Sequence, residues 1–261
     1  LARIKTHLSL NRTLQLLGQS YASIKKDQDY IEYIMQSMRK DERFIGSDIA
    51  TLIAPVEKSN GDIVLSALAP NGHRYLLIGD FTGHGLSAAI AGPLVNSLFY
   101  IQSEQGMALK QIIEMVNVEL FYKLSTEIFM AAIWMDWDMK QNKMTLWNCG
   151  MPSVLHFRGE DKVAQYRSQY IPLGIQKSFL ESSEAVSFSC LSGDIIFGYS
   201  DGVQEVRSLT GEVFGSQRIE RLLHQVISLP ADITLVMETL QSHAKEVGIQ
   251  DDITLVQLTI S

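Results

Sequence analysis

Acidic residues fall in turns beside apolar runs at several points of the chain. They are Asp62 in Asn60-Gly61-Asp62, Asp80 in Gly79-Asp80, Asp201 in Ser200-Asp201-Gly202, and the pair Asp251-Asp252 ahead of Ile253-Thr254-Leu255-Val256. Carboxylates drawn together repel one another unless cations neutralise them. All-oxygen donors suit Mg²⁺ or Mn²⁺, octahedral and partly hydrated. The sequence has no HExxH and no CxxC pair, so the usual zinc ligand patterns are missing. The richest stretch runs from Tyr75 to Ile90. There an apolar run ends at Gly79-Asp80, a turn with Gly83, His84 and Gly85 follows, and a small-residue helix opens at Leu86 or Ser87. Glycines let backbone approach a ligand closely, and a helix N-terminus favours anions. Together these features suit a hard cation and a phosphate. The same residues also suit surface turns and helix caps, and residue types alone leave both readings open.

The elements that would position these residues follow from the hydrophobic pattern. Strands are expected over Ser47–Pro55, Ile63–Leu68, Tyr75–Gly79, Phe129–Trp137, Lys143–Asn148, Ser153–Phe157, Val163–Arg167, Glu184–Phe188, Asp194–Tyr199 and Ile253–Ile260. Pro70-Asn71-Gly72 and Gln141-Asn142 mark turns. Helices are expected over Ser87 to about Gln105 despite Pro93, over Ala108 to Leu124, over Ile219–Val226 and over Ile233–Lys245. Strands come in adjacent runs with two helices inserted together, which predicts an α+β fold of antiparallel sheets covered by helices.

Residues 1–45 differ from the rest. Leu10, Leu14, Leu17, Tyr21, Ile24, Gln28, Ile31, Met35 and Met38 alternate in steps of four and three, a heptad seam over roughly four heptads. This predicts a linker helix that dimerises as a parallel coiled coil. Residues 46–261 form the second unit. The run from Leu1 to Leu8 is similar to the closing helix of a response-regulator receiver domain, which implies an upstream receiver in a longer protein. With 22 basic and 29 acidic residues the net charge of the 261-residue chain is −7, which argues against nucleic acid or an anionic membrane as partner. No membrane span or signal peptide is visible. Cys149 and Cys190 lie in apolar contexts and read as buried free thiols of a cytoplasmic protein.

The set Gly61-Asp62, Gly79-Asp80-x-x-Gly83-His84-Gly85, Asn148-x-Gly150-x-Pro152, Ser200-Asp201-Gly202 and Asp251-Asp252-x-Thr254 resembles the metal-dependent protein phosphatases (PPM, phosphatase 2C-like), in their bacterial stage II sporulation protein E type branch. The resemblance covers about residues 46–261. It implies two antiparallel sheets between helix pairs and a centre of two Mg²⁺ or Mn²⁺ ions. In that centre Asp80 would bridge both ions and the Phe81 carbonyl would complete one. Asp201 and Asp251 would hold the other, Asp62 would bind an ion or its waters, and Asp252 would lend support. Asp80 and Asp201 would be the catalytic pair. His84 reads as a turn residue rather than a general acid, and Arg207 is a candidate phosphate contact. Two departures stand out: Ile63-Val64-Leu65 follows the first Gly-Asp where aromatic or acidic residues are common, and Met151 stands where a polar residue is common. The implied activity is a protein serine/threonine phosphatase, a phosphoric monoester hydrolase, acting on an anti-sigma-factor antagonist. The alternatives are a phosphatase-like module that sequesters a partner and a hydrolase of small phosphate esters.

Overall fold

The computed structural model describes residues 2–39, 41–55, 61–82, 86–125, 127–178, 185–228 and 232–261. Helix α1 (Ala2–Arg39) precedes β1 (Ile49–Ala54), β2 (Asp62–Leu68) and β3 (His73–Phe81). Helices α2 (Leu86–Glu104) and α3 (Leu109–Lys123) come next. Strands β4 (Met130–Asp138), β5 (Lys143–Cys149), β6 (Val154–Arg158), β7 (Asp161–Tyr166), β8 (Val186–Ser189) and β9 (Asp194–Tyr199) follow. The chain closes with α4 (Gly202–Glu205), α5 (Ser216–Ser228), α6 (Thr234–Ala244) and β10 (Ile253–Thr259). One sheet has the order β1-β10-β9-β6-β7, the other β2-β3-β4-β5-β8, and the neighbouring strands run antiparallel.

The strands read as apolar runs because both faces are covered. On β3, Tyr75 and Leu77 face the α2–α3 side with Ile113, Val116 and Trp134. Leu76 and Ile78 face the opposite sheet, against Ile196 and Val256. On the other sheet, Phe197, Tyr199 and Leu255 pack under Leu222, Val236 and Leu240 of α5 and α6. The result is four layers, helices–sheet–sheet–helices, as the family resemblance implies; the hydrophobic pattern by itself predicts antiparallel sheets covered by helices. Gly198 shows how closely the sheets stack: a Cβ there would stand 2.6 Å from Ile78 Cδ1. Pro93 is accommodated inside α2. The short α4 has no counterpart in the sequence pattern, since four residues carry no periodicity. The expected start of β8 at Glu184 lies outside the described residues. Both cysteines are buried and free. Among the described residues no helix is long and apolar enough to cross a membrane.

Helix α1 is of a different kind. Leu10, Leu14, Leu17, Tyr21 and Ile24 are all more than half exposed. The side chains of Gln28, Ile31 and Met35 lie outside the described residues. Met38, the last seam residue, is buried in the core between α2 and β2. The seam therefore turns into the domain's own core at its end. Beyond it, Arg43 bonds to Asp41 at 2.6 Å and lies 4.2 Å over the Tyr100 ring of α2. The buried Arg74 guanidinium grips Asp48 and the Ile45 carbonyl, which fixes the passage from α1 into β1.

At the end of the β6–β9 ladder, opposite Arg158, Asp194 is fully buried. It bonds to His156 Nε2 at 2.9 Å and to Arg158 Nε and Nη2 at 2.8 Å each. Burial alone would raise its pKa; the Arg158, Leu191 and His156 hydrogen bonds outweigh this and pull it down to about 2. A depressed carboxyl pKa stabilises the fold above the unfolded pKa, and that stability is lost as pH falls toward the folded value. The shift corresponds to about 2 kcal/mol. We expect Asp194→Asn to lower stability at pH 6 to 7 in urea unfolding. The gap to the parent should narrow as pH falls from about 4 to 2, and a gap constant with pH would contradict this assignment.

Candidate metal centre

Two sheet ends meet to build the centre. In the β2–β3 ladder Asp62 stands directly opposite Asp80, and directly opposed residues share a face. In the other sheet Ser200 N–H donates to Thr254 O at 2.9 Å and Thr254 N–H to Ser200 Oγ at 3.0 Å. This pairing sets Asp201, just past β9, beside Asp251 and Asp252, just before β10. Gly61 N–H then crosses between the sheets to Asp252 Oδ2 at 2.9 Å.

Asp80, Phe81, Asp201, Asp251 and Asp252 line one cavity of about 480 Å³. Asp62 is placed differently. It is 2% exposed, does not line the cavity, and sits behind Asp80 among the Thr254, Asp80 and Ser200 side chains. The Phe81 side chain is buried in the core, so its backbone is what it offers the cavity. Phe129, Ala131, Gly150 and Pro172 supply an apolar part of the wall. Thr82 ties this wall to the acidic side: its hydroxyl accepts from Phe129 N–H at 2.9 Å, and its own N–H donates to Phe129 O at 3.0 Å. Gly150 has φ +89°, and a Cβ there would lie 2.6 Å from Pro172 Cγ.

The electrostatics ask for cations. Burial, followed by the charges of Asp62, Asp201 and Asp251, pushes Asp80 up to about 9. Burial raises Asp62 to about 7, and burial together with Asp251 raises Asp201. Left without cations, Asp80 holds its proton at neutral pH, and divalent ions would take its place. Among the described residues no three such donors converge on a single point. The carboxylates are spread around the cavity, which suits ions that keep several waters. The donor chemistry therefore fits hard divalent cations.

Gly83, His84 and Gly85 lie outside the described residues, as does Asn60. Met151 is buried between the sheets, so it takes no part in the cavity. Ile63 and Leu65 likewise pack toward the helices and Val64 between the sheets. Arg207 does not line the main cavity. It faces a smaller one of about 120 Å³ that shares Gln250 and Asp251 with it, and it donates to Gly211 O at 3.3 Å. Thr82, Phe129 and Gln250 were not singled out by sequence. A threonine two places after Asp80 is the one signal that could have been followed.

The fold and site place the chain in the class of metal-dependent protein phosphatases of PP2C type. The profile described as Stage II sporulation protein E (SpoIIE) matches residues 70–261, and the chain belongs to that family. Among solved structures, the SiaA PP2C domain of Pseudomonas aeruginosa is 18% identical, with 93% of this chain and 99% of that one covered at a TM-score of 0.79. The PP2C phosphatase domain with a regulatory-domain fragment of the cell fate determinant SpoIIE from Bacillus subtilis is 21% identical, covering 84% and 64% at 0.68. RsbX in complex with magnesium is 14% identical, covering 83% and 98% at 0.58. At these identities the likeness is one of fold. No curated protein matches the sequence significantly.

Because burial, and then the neighbouring carboxylates, raise the Asp80 pKa, this carboxyl costs the metal-free fold stability at neutral pH, and Asp80→Asn should stabilise it, with a Tm roughly 2 °C or more above the parent. The same variant should lose the Tm increase that Mn²⁺ gives the parent. Thermal unfolding with and without Mn²⁺ checks both; a variant less stable without metal would show that the buried Asp80 carboxyl does not destabilise the fold.

Proposed function

We propose that this chain is a phosphoserine/phosphothreonine protein phosphatase with two Mg²⁺ or Mn²⁺ ions. The observation that carries the reading is the meeting of Asp80 with Asp201 and Asp251 around one cavity, at the ends of two different sheets. Asp80 would bridge the ions and the Phe81 carbonyl would complete one. Asp201 and Asp251 would hold the other. Asp62, one layer behind, would act through Asp80 or through ion-bound waters. When bound, the ions lower the pKa of a shared water and offset charge on the phosphoryl oxygens. The chain's own residues orient the carboxylates through the Ser200–Thr254 and Gly61–Asp252 bonds. Water activated in this way would be the attacking group, so no protein nucleophile is required. The magnesium in RsbX supports Mg²⁺ as one of the ions.

The substrate we propose is an anti-sigma-factor antagonist phosphoprotein, on the strength of family membership. The upstream unit would be a receiver domain. The exposed seam from Leu10 to Ile24 supports a homodimer through α1, since unpaired apolar side chains at heptad spacing are stabilised by a second copy. In sedimentation velocity, Leu17→Asp combined with Ile24→Asp should convert dimer to monomer at micromolar concentration. A parent that is already monomeric there would contradict the dimer.

The activity is tested by phosphate release from a phosphoserine protein, with and without Mn²⁺. The parent should turn over only with metal, and Asp80→Asn and Asp201→Asn should each lose at least about 100-fold. Metal binding without turnover on a phosphoprotein or an aryl phosphate would favour the sequestering module. Turnover of the aryl phosphate alone would favour a small-ester hydrolase.

A further inference from the structure

We propose that Asp252 is a positioning residue that holds the two halves of the acidic centre together, and is not itself an ion ligand; this rests on the metal-centre reading above. Its contacts reach the neighbourhood of every other acidic position. The Oδ2 atom accepts the Gly61 N–H at 2.9 Å, across the gap between the sheets. Gly61 immediately precedes Asp62, and its carbonyl accepts the Phe81 N–H at 3.4 Å, so this bond locates the β2 and β3 ends together. The main-chain oxygen of Asp252 accepts from Ser200 Oγ at 3.3 Å, beside Asp201. The same oxygen would lie 2.1 Å from a Cβ on Gly202. Only glycine lets the β9 turn close onto this strand. The main-chain N–H of Asp252 donates to Asp251 Oδ1 at 2.8 Å, which turns that carboxylate.

The division of labour between adjacent aspartates follows. Both aspartates line the cavity and each gives one oxygen to a backbone N–H, but Asp251 accepts from its own neighbour whereas Asp252 accepts from the facing sheet. A clamp of this kind acts as outer-shell partners do: it does not bind the ion, but it fixes the groups that do. Its requirement is a hydrogen-bond acceptor at this reach, which an amide oxygen also meets. A ligand would instead require the negative charge.

Mn²⁺ binding by isothermal titration calorimetry, together with Tm without metal, separates these roles for the parent, Asp252→Ala, Asp252→Asn and Asp251→Asn. We expect Asp252→Ala to weaken Mn²⁺ binding by about 10- to 100-fold. Asp252→Asn should recover most of that loss on a logarithmic scale, and Asp251→Asn should not. Equal losses in Asp252→Asn and Asp252→Ala would overturn the proposal in favour of a direct ligand. A lower Tm with parental affinity in Asp252→Ala would overturn it in favour of a purely structural role. Should Asp252→Ala not fold, Asp252→Asn decides alone: near-parental affinity supports the clamp, and a loss matching Asp251→Asn refutes it. Absence of Mn²⁺ binding in the parent would sink the metal reading itself, and this inference with it.

Discussion

Like charges held close together in a partly dry site repel, and the rest of this molecule is arranged to hold them there regardless. Asp80 faces Asp62 behind it and Asp201 and Asp251 across the cavity. Without a cation that proximity rests on protons shared in the Asp80–Asp62 and Asp80–Asp201 hydrogen bonds. The cost is met by the β-sandwich, whose three apolar layers fix the strand ends within hydrogen-bonding distance of one another. Sites that trade stability for function in this way are expected where binding energy is recovered later.

Rigidity at the strand ends comes from a few backbone-directed bonds rather than from ion pairs. Ser200 and Thr254 lock one sheet, Thr82 and Phe129 lock the other, and Asp252 joins the two. Each of these uses a short side chain that reaches a main-chain group. Such bonds keep their geometry whether or not the neighbouring carboxylates carry protons.

Much of this was legible in the sequence, and the reasons differ by residue. The β3 run from Tyr75 to Gly79 reads as a buried strand because both faces are apolar, and its ending at Asp80 is plain. Antiparallel sheets covered by helices follow from helices inserted together between runs of strands, while the four-layer stacking was implied only by the family resemblance. The glycine of Ser200-Asp201-Gly202 is visible as a glycine, but its reason is the Asp252 carbonyl some fifty residues away, which no local pattern carries. The Gly61–Asp252 bond is hidden for the same cause. Met151 stands in a motif and so invites a place in the site, yet its thioether side chain is apolar and belongs between the sheets. Arg207 follows a motif in sequence but is turned to the side by the tight 206–214 hairpin, where Phe214 N–H bonds back to Val206 O at 2.8 Å. Exposure along α1 was implied by a seam too narrow for packing on a domain, although the burial of Met38 at its end was not.

Strand β10 lies between β1 and β9 yet follows the other described strands in sequence. During synthesis on the ribosome, one edge of each neighbour must therefore wait for it. The acidic centre draws Asp251 from the turn just before this strand, so an incomplete chain lacks both the sheet's middle and a full donor set. Pairings between distant parts of a chain form slowly. Ion capture is thus tied to a late event in the folding of this domain.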